Sequence, residues 1–141
     1  MNTFTPANPL EEALLGSQQD EASEKAFIAL LMESEVGVLL DKPLLADGAW
    51  DPEAAPLVMN RPGGFPALAV FTSPGRAVAA GVHSNTYQNG KALPFRALLR
   101  GTQPALGLVV NPGSLVGFDM KPEQVAELKH AFGVETVAKL Q

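Results

Sequence analysis

The chain has 141 residues, 46% of them hydrophobic, and its formal net charge is −5 at pH 7. This length and composition predict one soluble domain with its own core, and they exclude a large multidomain protein. No apolar run is long enough for a membrane span, no basic segment precedes an apolar stretch at the start, and cysteine is absent, so we expect a cytoplasmic protein without disulfides, thiolate metal ligands or cysteine nucleophiles.

The N-terminal part of the chain contains the signals of two helices and one strand. Asn8 as N-cap, Pro9 in the first helical position and Glu11 three residues after the cap predict a short helix. Apolar residues at helical spacing predict a second, amphipathic helix over residues 20–34. Valine and leucine residues between 35 and 41 predict a buried strand.

The middle of the chain predicts a loop followed by an antiparallel pair of strands. Residues 42–56 are rich in proline and aspartate and show little periodicity, which indicates a long surface loop. The apolar runs 57–61 and 67–71 are separated by Pro-Gly-Gly-Phe-Pro, a connector of the length that hairpins use. A hairpin is therefore the simplest interpretation.

The rest of the chain repeats one pattern, in which proline opens a helix and glycine closes it. This pattern predicts helices over residues 74–80, 94–100 and 122–132. Between the last two, residues 105–110 and 115–120 flank an Asn-Pro-Gly-Ser turn and predict a second strand–turn–strand unit.

The order of these elements predicts the fold class. Helices and strands are mixed without strict alternation, so we predict an α+β fold, a single domain whose mixed or antiparallel sheet packs against several helices. We further expect the strands around Val36, Val58, Leu68 and Leu108 to belong to one sheet.

Charge is distributed unevenly along the chain. Residues 1–53 hold eleven acidic residues against two lysines, whereas residues 54–118 contain no acidic residue. The basic residues of that acid-free segment are Arg61, Arg76, Lys91, Arg96 and Arg100. Either the segment presents an electropositive surface to an anionic partner, or the acidic N-terminal helices fold over it and neutralise it. Nucleic acid is not an expected partner, because the basic residues are scattered and few aromatic residues lie among them.

Four sequence phrases occur in an order that is typical of one known family. They are residues 29–36 (ALLMESEV), 70–77 (VFTSPGRA), 93–99 (LPFRALL) and 106–114 (LGLVVNPGS). With these phrases the chain resembles, from about residue 22 to residue 131, the N-terminal domain of the SseB family of bacterial proteins.

The resemblance implies an α+β domain whose molecular role is undefined. The family's labels are enhanced serine sensitivity and type III secretion, and no catalytic residues come with them. We expect an N-terminal arm with a short helix over residues 1–21 and an SseB N-terminal-like domain over residues 22–141. The chain stops soon after the third predicted capped helix, so a role carried by the second domain of longer family members is not transferred to it.

Ser73 and Arg76 are the first candidates for a binding site. A strand that leads into a helix N-terminus exposes free amides, and an arginine one turn into the helix is placed to bind an oxyanion. The alternative is that a serine N-cap before a proline is simply an ordinary helix start.

Arg96 and Arg100 extend the candidate anion-binding site. They are four residues apart and therefore share one helix face, where they repel each other unless an anionic group lies between them. That group is either a ligand or the carboxylates of Glu33 and Glu35. We expect that Arg61 and the three arginines of the candidate site are not all paired internally.

Trp50, His83 and Tyr87 are the candidates for contacts with another protein. Trp50 lies in the predicted 42–56 loop and either folds back onto the core or anchors another protein. His83 and Tyr87 belong to a polar loop, and polar loops on a rigid scaffold often carry sites. No acid near His83 in the sequence orients it as a base, and no serine has the nucleophile-elbow spacing, so we expect neither hydrolysis nor a metal site.

Two functions are compatible with these features of the sequence. The first is a non-catalytic protein-interaction or regulatory module that uses no cofactor and binds another protein or a second copy of itself. The second is a binding domain for a small anionic metabolite, which uses the helix N-terminus at Ser73 and the nearby arginines. Neither function involves a membrane.

Overall fold

The computed structural model describes residues 6, 8–47, 51, 53–73, 75–77, 87, 89–101, 105–112 and 117–134. The helices among them are α1 (Pro9–Gly16), α2 (Glu21–Met32), α3 (Phe95–Gly101) and α4 (Pro122–Ala131). The strands are β1 (Glu35–Leu40), β2 (Val58–Arg61), β3 (Phe65–Val70), β4 (Asn89–Pro94), β5 (Gly107–Val110) and β6 (Phe118–Met120). Residues 75–77 are helical as well. None of the described helices has the length and apolar character that crossing a bilayer requires.

Helix α1 begins after its predicted N-cap, Asn8, and helix α2 begins at the start of the predicted 20–34 segment, with Asp20 as its N-cap. Asn8 Oδ1 accepts a hydrogen bond from the Glu11 backbone N–H at 2.9 Å, and Asp20 Oδ1 accepts one from Ser23 N–H at 2.7 Å. Each bond satisfies an amide that the first turn of a helix leaves without a partner. Both predicted N-terminal helices are confirmed.

Both predicted strand–turn–strand units are confirmed, and a parallel pairing joins them. Strand β2 pairs antiparallel with β3 through a turn in which Gly63 and Gly64 have φ values of +103° and +81°, a region that glycine enters without steric cost. Strand β5 pairs antiparallel with β6. Because β3 also pairs in parallel with β5, the four strands form a mixed sheet of order β2-β3-β5-β6.

The prediction that all the apolar strands form one sheet is wrong. Strand β1 pairs antiparallel with β4 in a separate two-stranded sheet. The two sheets meet where Gly37 of β1 and Phe71, just after β3, exchange two backbone hydrogen bonds of 2.8 Å. Strand β4 begins in the predicted polar loop, and Leu93 is its single buried residue, so local apolar alternation does not reveal it.

The three proline-to-glycine segments have different outcomes. Residues 75–77 are helical, and the rest of the predicted 74–80 helix lies outside the described residues. Helix α3 begins at Phe95 because Pro94 is the last residue of β4. Helix α4 begins at Pro122 as predicted.

The mixed sheet buries apolar side chains on both faces. The main core lies between one face and the helices and includes Leu10, Leu14, Phe27, Leu31, Leu68, Val70, Leu98, Leu99, Leu108, Val110, Val125 and Leu128. The other face carries a smaller cluster formed by Leu39, Phe65, Ala67, Ala69, Phe71, Ala77 and Val109. There the Phe65 ring lies over Gly107, where an added Cβ would meet ring atoms at 2.8 and 2.9 Å. The predicted α+β fold is confirmed.

Candidate functional site

The parallel strands β3 and β5 end side by side, and their carboxyl ends form the candidate site. Val70 lies opposite Val110 at this end. Thr72 and Ser73 follow β3 by two and three residues, and Asn111 follows β5 directly. Ligands commonly bind at the carboxyl ends of neighbouring parallel strands, so the polar side chains at this place are the first to test for function.

Asn111 and Thr72 join the two strand ends. The Asn111 backbone N–H donates to the Val70 carbonyl oxygen at 2.7 Å, which continues the parallel pairing. Asn111 Oδ1 accepts from Thr72 N–H at 3.0 Å, and Asn111 Nδ2 donates to Thr72 Oγ1 at 2.7 Å. Asn111 has a φ of +53°, a region that asparagine enters more readily than most residues. Both side chains are buried, so these bonds are shielded from water.

Helix α1 brings two further polar side chains to the strand ends. Its N-cap, Asn8, donates from Nδ2 to the Thr72 carbonyl oxygen at 2.9 Å. Glu11, three residues later, points its carboxylate inward and has no exposed surface. Thr72 Oγ1 donates to Glu11 Oε2 at 2.6 Å. The start of α1 is therefore tied to the end of β3.

Arg76 pairs with the buried carboxylate of Glu11. Arg76 Nε lies 3.3 Å from each carboxylate oxygen, and Nη2 lies 3.0 Å from Oε1. A buried carboxylate is stable only when it is paired and hydrogen-bonded, and Arg76 and Thr72 supply both. In the part of the chain that the structure describes, every buried side-chain nitrogen and oxygen has a hydrogen-bond partner. The cluster of Asn8, Glu11, Thr72, Arg76 and Asn111, called here the strand-end cluster, is therefore satisfied internally.

The residues of the predicted anion-binding site have different partners. Ser73 and Arg76 are close together, since Ser73 Oγ accepts from the Arg76 backbone N–H at 3.4 Å. Arg96 lies 3.0 Å from Glu33 through Nη2, and its guanidinium lies 5.8 Å from the centre of the Phe132 ring. Of the two predicted alternatives, a ligand or an internal carboxylate, the geometry shows the internal carboxylate for Arg96, because Glu33 pairs with it.

Arg100 differs from the other arginines of the acid-free segment. Arg61 pairs with Asp119 at 3.2 Å, and Arg76 and Arg96 pair as described. Arg100 is exposed and makes no ion pair among the described residues. Among the described residues the four arginines are therefore not all paired, and internal carboxylates neutralise Arg61, Arg76 and Arg96.

The predicted interaction residues are only partly described. Trp50 and His83 lie outside the described residues. Tyr87 is half-buried and packs against the smaller apolar cluster on the second face of the mixed sheet. Its ring therefore contributes to the packing of this chain.

A surface groove of about 460 Å³ lies where the β2–β3 turn faces the start of α4. It is lined by Gly63, Phe65, Lys121, Pro122 and Glu123. Within the described ranges, no three His, Asp or Glu side chains lie close enough together to hold a metal ion.

Sequence reasoning missed most of the strand-end cluster. Asn8 and Glu11 are interpreted from sequence as helix-start residues and Asn111 as part of a turn, and Thr72 is noted only within the sequence phrase over residues 70–77. One signal points to Glu11: it lies three residues before Leu14 and so shares the inward face of α1. An acidic residue on an otherwise apolar face indicates a buried cation partner.

Comparison with known proteins places this α+β domain in a family. The family model described as SseB protein N-terminal domain matches residues 10–127. The chain therefore belongs to the SseB family, as its four sequence phrases indicate. The match begins inside α1, and the division of the chain at residue 21 stays a prediction. No curated protein and no solved structure matches the chain.

Proposed function

We propose that this domain is a non-catalytic interaction module that binds an extended segment of another protein chain along the outer edge of β4. The observation that carries the proposal is that the outer edge of this strand has no strand partner among the described residues. In the described part of the chain, β4 pairs only with β1. The strand-end cluster adds support, because its buried polar side chains bond to one another and so occupy the position where ligands usually bind between parallel strands.

The hydrogen bonds of β1 establish which groups of β4 face outward. Opposite residues of an antiparallel pair exchange either both backbone hydrogen bonds or neither. The N–H and C=O of Gly37 form hydrogen bonds to Phe71, on the other side of β1 from β4, and Gly37 lies opposite Ala92. The N–H and C=O of Ala92 therefore point away from β1.

The same alternation extends along the strand. Leu39 accepts from the Leu57 backbone N–H on the far side of β1 and lies opposite Gly90. Gly90 and Ala92 are exposed, as is Pro94 at the next outward position. Proline fits there because its missing N–H faces solvent. Gly90 and Ala92 thus present outward donors and acceptors that no other described residue is shown to pair with, and these are the groups that an added strand uses.

A proline substitution tests this edge directly. Ala92→Pro removes one outward N–H and no hydrogen bond to β1, so we expect a melting temperature close to that of wild type. In a capture assay, a partner protein that binds both wild type and Ala92→Ser, which keeps the N–H, should no longer bind Ala92→Pro. Equal capture by all three forms, with the fold intact, would contradict the proposal.

The second candidate function is binding of a small anion, and Arg100 favours it. Arg100 is an exposed cation without a carboxylate partner among the described residues, in a segment that has no acidic residue of its own. A thermal-shift panel of phosphates, nucleotides and carboxylates tests this function. A ligand at a hundred times its dissociation constant adds about 2.7 kcal/mol of stability. A shift that persists in Arg100→Ala would exclude Arg100 as the binding residue.

A further inference from the structure

The strand-end cluster divides into a set of donors and an acceptor that come from distant parts of the chain. The donors are Thr72 and Arg76, which lie just after β3. The acceptor is the Glu11 carboxylate, which α1 brings from 61 residues before Thr72 and 65 before Arg76. The segment after β3 therefore positions the two donors, and a different element, α1, supplies the carboxylate that they bind.

The Thr72 hydroxyl is oriented toward a carboxylate by groups other than Glu11. Asn111 Oδ1 accepts from the Thr72 backbone N–H, which turns Asn111 Nδ2 toward Thr72 Oγ1. Because Oγ1 accepts that bond, its own proton is directed to the Glu11 oxygen. The Val70 carbonyl holds Asn111 in turn. This orientation does not require Glu11.

Arg76 is also held by its own segment. Its backbone N–H donates to Ser73 Oγ, and the next residue, Ala77, donates to the Ser73 carbonyl oxygen at 3.3 Å. The guanidinium donates from Nε to Glu11 Oε2 and from Nη2 to Glu11 Oε1, the bidentate geometry in which arginine binds carboxylates. Arg76 keeps about a quarter of its side chain exposed, at 24%, so one side of the pair faces solvent.

We propose that Thr72 and Arg76 form a binding site for a carboxylate and that Glu11 is its built-in occupant. The site goes beyond the β4 edge and does not depend on it. Glu11→Ala removes a methylene and a carboxylate, which are the heavy atoms of acetate. The site emptied in this way takes a free monocarboxylate of that size, bound by the Arg76 guanidinium and the Thr72 hydroxyl.

Acetate rescue of Glu11→Ala tests the proposal. We expect Glu11→Ala to melt below wild type in sodium chloride, and sodium acetate at equal ionic strength to restore most of the lost melting temperature in a saturable way. Glu12→Ala is the matched control, because it removes the same atoms from the exposed neighbouring position of α1. Acetate should not shift Glu12→Ala or wild type relative to chloride.

Two further variants separate a carboxylate site from a general salt effect. Adding Arg76→Ala to Glu11→Ala should abolish the response to acetate. Glu11→Gln fills the space with a neutral amide and should not respond. A response that equals that to sulfate, that survives the loss of Arg76, or that occurs in Glu11→Gln would overturn the proposal.

Folding itself is the readout if Glu11→Ala does not fold in chloride. We then expect that acetate, and not sulfate, restores the native circular dichroism spectrum. Absence of recovery at any acetate concentration that leaves wild type folded would overturn the proposal.

Discussion

Asn111 links the carboxyl ends of β3 and β5, and two of its features have separate costs that mutation can measure. Its side chain satisfies the buried Thr72 N–H, and its backbone has a φ of +53°. Asn111→Ala leaves that N–H without a partner, at about 1–3 kcal/mol, and it replaces asparagine by a residue that enters the left-handed region less readily, because alanine lacks the polar side chain that forms local hydrogen bonds there. We expect a loss of about 3 kcal/mol in the free energy of unfolding.

Asn111→Gly separates the two costs. Glycine loses the same hydrogen bonds but enters the left-handed region freely, so it should destabilise the protein less than alanine although it removes one atom more. Urea unfolding of both variants measures the order. If Asn111→Gly is less stable than Asn111→Ala, the left-handed backbone conformation at position 111 does not contribute to the cost of replacing asparagine.

The residues of the candidate site show what sequence reasoning can and cannot reach. Ser73 and Arg76 are three apart, so their proximity follows from local helix geometry and is predicted. Glu11 reaches Arg76 only after the chain has folded, across 65 positions. An acidic residue at position 11 is already explained by the pattern of a helix start. The sequence therefore gives no reason to look for a distant partner such as Arg76.

At the scale of elements, the N-cap of α2 gives a pH-dependent contribution. The Ser23 backbone N–H bonds to the Asp20 carboxylate and lowers its pKa below the ordinary value of 3.8. A lowered pKa means that the ionised form is favoured by folding, so this stabilisation is complete above pH 3.8 and is lost as pH falls through the folded-state pKa.

Asp20→Asn keeps a capping oxygen but cannot ionise, and it tests this dependence. We expect the difference in melting temperature between wild type and Asp20→Asn to be largest near neutral pH, where the carboxylate also favours the helix N-terminus. The difference should shrink as the pH is lowered below 3.8. A difference that stays constant from neutral to acidic pH would show that ionisation at this cap does not contribute.

The elements that sequence predicts correctly are those with local signals. Asn8, Asp20 and Pro122 mark helix starts through contacts within one turn, and the glycines of the β2–β3 turn mark a hairpin. Strand β4 lacks such a signal, because its place beside β1 depends on register between Ala92 and Gly37. Local sequence signals therefore do not predict the division into two sheets, because it depends on the pairing of β1 with a strand that is distant in the sequence.

For the whole molecule, the position of α1 decides whether the N-terminal segment is an arm or part of the domain. Leu10 and Leu14 of α1 lie in the main core with 5% and 0% of their surfaces exposed. Burial of a leucine contributes about 1.5–3 kcal/mol, so the two residues account for about 3–6 kcal/mol. A domain of this size has about 5–15 kcal/mol in total, so a large share of its stability depends on α1.

A chain that begins at Gln18 should therefore unfold at a much lower urea concentration than a chain that begins at Asn8, which keeps the cap and all of α1. Loss of α1 also removes Glu11 from Arg76 and the Asn8 bond from the Thr72 carbonyl, so the end of β3 should lose protection from amide hydrogen exchange more than β4 does. Urea unfolding and hydrogen exchange on both chains measure these effects. If the two chains unfold at the same urea concentration, α1 is a dispensable arm, as the division at residue 21 predicts.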